Sequence, residues 1–172
     1  MKKQACSIAA LVAVSLAGCA VKQPQTAEEF RQAVAAGAMM TKTESYEVSR
    51  PFRAVAETFR KRAPECLRVS VRTVSQTGTS YQNILTEYTP TVVAGGERAE
   101  LYVQQLHKTG VLYPSKPPEG GIYLFVADAT PQGNRTRIQI YGPSRGYDVL
   151  HRAVRGWASG ENLGCPDMTK IG

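Results

Sequence analysis

Few residues in this chain are equipped for acid–base chemistry. After the N-terminal region there are two histidines, His107 and His151. His107 closes a segment whose alternation reads as a β-strand, and Glu87, Glu100 and Asp128 fall on segments that read as neighbouring strands. An imidazole and a carboxylate brought into one cleft would make an acid–base pair, although ordinary exposed strand residues would leave the same pattern. His151 lies beside Arg152 and near Arg155 on what reads as the solvated side of a helix. There is no His-x-x-x-His, no Cys/His cluster, no Gly-x-Ser-x-Gly and no glycine-rich phosphate loop. Metal enzymes, serine hydrolases and nucleotide-binding folds depend on such patterns. The expectation is a protein that is not an enzyme, with no catalytic residue, metal ligand or cofactor to assign.

The most specific signal is at the start of the chain. Lys2 and Lys3 precede the apolar stretch Ala5 to Ala17, and no acidic residue occurs before Glu28. These 13 residues fall short of the roughly 20 that a membrane-spanning helix needs, so they read as an export signal. Leu16-Ala17-Gly18-Cys19, at the end of that stretch, resembles the lipobox of bacterial lipoproteins. The resemblance implies a diacylglycerol on the Cys19 sulfur, cleavage between Gly18 and Cys19, and acylation, typically with palmitate, of the new amine. Two or three acyl chains suffice for stable anchoring. Ala20, where an Asp would mark retention at the inner membrane, implies delivery to the outer membrane, facing the periplasm. Ordinary signal cleavage, leaving Cys19 a free thiol, is the alternative.

On this reading residues 1–18 are a signal peptide, 19–42 a lipidated N-terminus with tether and short helix, and 43–172 an α+β domain. The net charge of +7 becomes +5 once Lys2 and Lys3 are removed. In an exported protein, that balance suits anionic lipid or cell-wall polymer rather than nucleic acid; the charges are dispersed, as on an ordinary solvated surface. With Cys6 discarded and Cys19 acylated, Cys66 and Cys165 are the remaining thiols. An oxidising compartment favours a disulfide between them, with two separately buried thiols as the alternative. Neither belongs to a Cys-x-x-Cys redox motif.

These residues must be positioned by elements that the pattern outlines. Thr26-Ala27-Glu28-Glu29 is a capping box opening a short helix from Ala27 to Ala36, with Phe30, Ala33 and Val34 on one face. Lys42 to Ser49 reads as a strand. Phe52, Val55, Ala56, Phe59 and Ala63 form one helical stripe, which Pro64 is expected to end. Strands are expected at Cys66–Val74, Tyr81–Val93, Arg98–Lys108, Ile122–Ala127 and Arg135–Tyr141. Gly95-Gly96 and Pro131-Gln132-Gly133-Asn134 supply turns. The apolar phase slips between Val103 and Leu106, as at a β-bulge or in a strand buried on both faces. A final helix from Arg145 to Ser159 buries Tyr147, Leu150, Ala153, Val154 and Trp157.

Two helices that are each apolar on one side must cover a mostly antiparallel sheet of five to six strands, a two-layer α+β fold in the order β-α-β-β-β-β-β-α. Across residues 43–165 that order resembles the helix-grip domains of barrel-assembly lipoproteins, without a shared motif. The expected role is structural or accessory: an envelope protein tethered to the membrane through Cys19 that binds a protein partner. The proline-rich loop from Thr109 to Gly121 carries the apolar Val111, Leu112 and Tyr113 as candidate partner contacts, and tucking them onto the sheet is the simpler alternative. A second expectation is a carrier or sensor that takes a lipid or other amphiphile between sheet and helices. Oligomeric state is open.

Overall fold

The structure, a computed structural model, describes residues 23–113 and 115–171. The expected signal peptide and Cys19 lie outside the described residues. Thr26 opens helix α1 (Ala27–Ala35), its hydroxyl accepting from the Glu29 N–H at 3.1 Å. The Glu29 carboxylate reaches back to the Gln25 N–H at 2.6 Å, one residue earlier than the usual capping box. Strand β1 (Thr41–Val48) and helix α2 (Phe52–Leu67) follow. Then come five strands: β2 (Val69–Thr77), β3 (Ser80–Ala94), β4 (Ala99–His107), β5 (Ile122–Gln132) and β6 (Arg135–Pro143). Helix α3 (Asp148–Ser159) and a 3₁₀ turn (Met168–Lys170) complete the chain.

The six strands form one antiparallel sheet in the order β1-β6-β5-β4-β3-β2. The fold is α+β, as expected, with α2 and α3 on one face of the sheet. Phe59, Phe125, Leu101, Ile138, Leu150 and Trp157 are at most 1% exposed between them. The N-terminal helix α1 packs on the opposite face, where Phe30 and Val34 sit on Val126 among Tyr102, Tyr123 and Tyr141. The Phe30 side of α1 is therefore spent on its own domain.

Several boundaries differ from expectation for physical reasons. Pro64 lies inside α2 rather than at its end. An interior proline costs about 3 kcal/mol, but the extra turn carries Cys66 and Leu67 into the core at 2% and 0% exposure, and β2 consequently starts at Val69 rather than Cys66. Strand β5 runs through Pro131 and Gln132, leaving Gly133-Asn134 as a two-residue turn. The last helix starts at Asp148 rather than Arg145, because Gly146 takes a positive φ of 77° just before it. At its other end Gly160, with φ 86°, donates to the carbonyls of Gly156 and Trp157, the αL stop that glycine makes without strain.

The irregularity anticipated near Val103 is present, and its extra residue is on the neighbouring strand. Val103 pairs with Phe125 and Gln104 with Tyr123, so Leu124 is the inserted residue. Leu124 and Phe125 therefore both join the α2/α3 core, while Tyr123 and Val126 both face α1. One bulge thus lets β5 supply both cores.

Cys66 and Cys165 are disulfide-bonded, with Cα atoms 4.9 Å apart across a sequence separation of 99. The bond ties the end of α2 to the segment after α3. Leu163 of that segment packs so closely on Gly156 that a Cβ there would collide with it, and the Arg62 guanidinium donates to the Leu163 carbonyl.

Candidate functional site

The four residues considered for an acid–base pair occupy two separate places. His107 and Glu87 sit where β4 ends, while Glu100 lies near its start. Seven strand residues, roughly 23 Å at about 3.3 Å each, separate His107 from Glu100. At the first place His107 Nδ1 hydrogen-bonds Thr86 Oγ1 at 2.9 Å, and the His107 ring stacks on Tyr113 at 6.0 Å between centroids. The backbone N–H of His107 donates to the Tyr113 hydroxyl at 2.6 Å. Glu87 pairs instead with Lys108 at 3.1 Å. Burial pushes the His107 pKa below its usual value, so the imidazole is the neutral, hydrogen-bonded base of a loop.

At the second place Glu100 and Asp128 are cross-strand partners on the α1 face. Arg31 of α1 grips Asp128 as a fork, Nε to Oδ2 at 2.8 Å and Nη2 to Oδ1 at 3.0 Å. It also pairs with Glu100, and with Glu28 at 2.8 Å. Arg98 closes the group from outside, 3.0 Å from both Asp128 Oδ1 and Glu100 Oε2. The Arg31 and Asp128 side chains are only 8% and 10% exposed. A cleft of about 390 Å³, walled by Gln32, Thr130, Gln139 and Tyr141, opens beside them. Both oxygens of Asp128 are occupied by guanidinium groups, so the arrangement clamps a helix to a sheet.

A third cluster escaped the reading of the sequence. His151, expected on a solvated face, is 5% exposed and points between α3 and β1. Its ring stands edge-on to Phe125 at 5.2 Å between centroids. Nε2 donates to the Pro143 carbonyl at 3.2 Å, which leaves Nδ1 as the lone-pair nitrogen of the neutral ring, 3.8 Å from Glu44 Oε1. Glu44 is held by Lys42 at 2.6 Å and Arg155 at 2.5 Å, and the Arg155 guanidinium lies over the Tyr46 ring at 5.1 Å. Burial alone would raise the Glu44 pKa, but Lys42, His151 and Arg155 together pull it below its usual value. Burial lowers the His151 pKa, against the pull of Glu44, and raises that of the Tyr46 phenol strongly. Tyr46 Oη and His151 Nδ1 make no hydrogen bond with the described residues. Glu44 and Tyr46 alternate on β1, and His151 precedes Arg155 by one helical turn; that spacing was the available signal.

The loop from Thr109 to Gly121 is pinned at both ends. Gln104 Nε2 donates to the carbonyls of Glu119 and Gly121, each at 2.8 Å. Gly121, at φ 104°, passes so close to the Gln105 carbonyl that no Cβ fits. Of the three apolar residues expected to meet a partner, Tyr113 is engaged at His107, while Val111 is 37% and Leu112 97% exposed. Ser115 Oγ donates to Gln23 Oε1 at 3.3 Å, which places the first described residue beside this loop. Between the sheet and α2/α3, an amphiphile-sized hollow would leave its lining accessible to water. Phe59, Phe125, Leu101, Ile138 and Ile140 are each 0% exposed there.

No family model matches the chain, and no curated protein matches it. Among solved structures it is similar to the Mll3558 protein from Rhizobium loti at 9% identity, over 70% of this chain and 94% of that one, with a TM-score of 0.34. Likeness at that level carries no argument about function.

Proposed function

We propose that this protein is a lipid-anchored component of the cell envelope, held by acylated Cys19 at the outer membrane and facing the periplasm, with a structural or accessory role exercised by binding a protein partner. The half-covered sheet face carries this reading. Helix α1 packs on β1, β5 and β6, while the row Leu85, Glu87, Thr89, Thr91 and Val93 of β3, in register with the α1-facing residues of β4, stands half-exposed or exposed beside it. A sheet face with one helix in place and an open strip next to it is shaped to receive a further element. The Asp128 and Glu44 carboxylates are each held by two basic side chains, an arrangement that suits a structural role. A carrier role is the second reading, and the filled layer between sheet and α2/α3 does not favour it.

A photocrosslinking residue at Thr91 in the full chain, expressed in its envelope, tests the proposal. The expected result is a protein adduct of defined mass that is lost in Cys19→Ala. Co-purified lipid with no protein adduct would turn the reading to the carrier.

A further inference from the structure

The ends of the strands are not alike. Antiparallel registry brings the start of β1, the β2–β3 hairpin, the end of β4 and the start of β5 to one rim of the sheet. Six of the seven large apolar residues that are exposed among the described residues stand on this rim: Met39, Met40, Val74, Tyr81, Val111 and Leu112. Val93 alone lies at the opposite end. The β2–β3 hairpin extends beyond the rest of the sheet, since β3 meets β4 only from Thr86 onward. The loop after β4 runs along the hairpin's base, where the Lys108 N–H donates to the Leu85 carbonyl at 2.8 Å and Gly110 lies against Ile84. In a chain that is 20% charged, residues 73–86 and 109–115 hold no charge at all. Lys42, Arg72, Lys108 and Lys116 flank them. Lys42 and Lys108 are paired to Glu44 and Glu87 at the same level, which leaves Arg72 and Lys116 as the basic flanks outside those pairs, with the exposed Glu119 on the same loop as Lys116.

The N-terminus leaves from this rim, at Gln23 beside Ser115. Cys19 is four residues earlier, a reach of at most about 14 Å at roughly 3.6 Å per residue. We infer that the rim is a bilayer-contacting surface, so that the domain stands on its strand ends and inserts these apolar side chains into the headgroup region next to its anchor. The inference rests on the proposed acylation of Cys19 for the side of the molecule that is brought close. The pattern itself favours lipid over protein. The apolar side chains stand singly on separate connections, along a rim six strands wide or roughly 24 Å. A protein hot spot is a contiguous, packed cluster, whereas interfacial insertion needs only apolar groups with basic flanks. With the rim on the membrane, the open β3 strip rises from the surface and stays free for a protein partner.

The single native tryptophan, Trp157, is 1% exposed in the core, which allows a depth measurement. The full chain carrying Leu112→Trp is reconstituted in phosphatidylethanolamine/phosphatidylglycerol vesicles with brominated acyl chains and compared with Val93→Trp at the far end. Emission from the Leu112→Trp protein is expected to be quenched roughly twofold or more and blue-shifted, as for a side chain about 5–10 Å into the interface; the Val93→Trp protein should match wild type. Intact mass reports Cys19 acylation separately, so failure of the anchor and failure of the rim are distinct results. If Cys19 proves unacylated, the same comparison at vesicle excess decides the rim alone. Equal quenching at the two positions in either form, or a crosslinker at Leu112 that captures protein instead of lipid, overturns the inference.

Discussion

Arg31 and Asp128 are the charged pair whose loss is most costly at the scale of single residues. Both are nearly buried, and removing one leaves the other uncompensated in a low-dielectric site, which typically costs about 3–5 kcal/mol. Asp128→Ala is expected to lower stability in urea unfolding by roughly that amount, up to the point where α1 detaches, while Arg31→Met/Asp128→Leu should recover most of it. A double-mutant cycle separates the two cases. His151 carries the pH dependence. Its folded pKa lies below the usual 6.5, so between those two values the unfolded chain binds more protons. Stability should therefore be full above 6.5, decline as the pH falls through that value, and level off below the folded pKa. His107 acts in the same direction. The gap between urea midpoints at pH 7.5 and 5.5 should narrow in His151→Gln, which retains a donor for Pro143, and the His107 share should remain. The sequence disclosed Glu100 and Asp128 as candidates because they are carboxylates in strands. It could not disclose Arg31 as their counter-charge, since the pair is 97 residues apart. His151 was misplaced because α3 is covered from two sides, so its buried arc is wider than one stripe.

The elements were legible where periodicity is long and uninterrupted. The β3 strand, the α2 stripe and the Leu150, Ala153, Val154 and Trp157 stripe of α3 follow from pattern alone; Tyr147, expected in that stripe, is half-buried at the N-cap. The errors cluster where tertiary contacts outweigh local preference: α2 continues through Pro64 because Cys66 and Leu67 have a core to enter, and β5 continues through Pro131 because β6 pairs with it to Gln132. The disulfide gives a prediction at this scale. Closing a loop of about 100 residues contributes, through the entropy of the unfolded chain, up to roughly 4.7 kcal/mol. Cys66→Ala/Cys165→Ala is expected to keep the fold, because α2 and α3 remain packed on the sheet, while its denaturant midpoint falls markedly. Reductant should move the wild type toward the variant and leave the variant unchanged, as equilibrium unfolding with and without a phosphine would report.

For the whole molecule, the order of elements implied a helix-covered antiparallel sheet, and that architecture is present. The placement of α1 on the far face was not readable: Phe30, Ala33 and Val34 make a stripe that would suit either face, a bilayer or a partner. The choice is made by Asp128 and by the aromatic floor of Tyr102, Tyr123 and Tyr141, which only the folded sheet assembles. The concentration of exposed apolar residues on one rim was equally hidden, because Met39, Tyr81 and Leu112 are scattered along the chain until registry aligns their connections. The pairing of the first strand with the last has a consequence for how the chain is made. Thr41 meets Pro143 and Val48 meets Thr136, so β1 has no neighbour in the sheet until almost the entire polypeptide has been synthesised. Such long-range closure is slow. A chain that has not yet delivered β6 cannot complete the sheet, and on the proposed export route this would keep the chain open enough to thread through a membrane before folding.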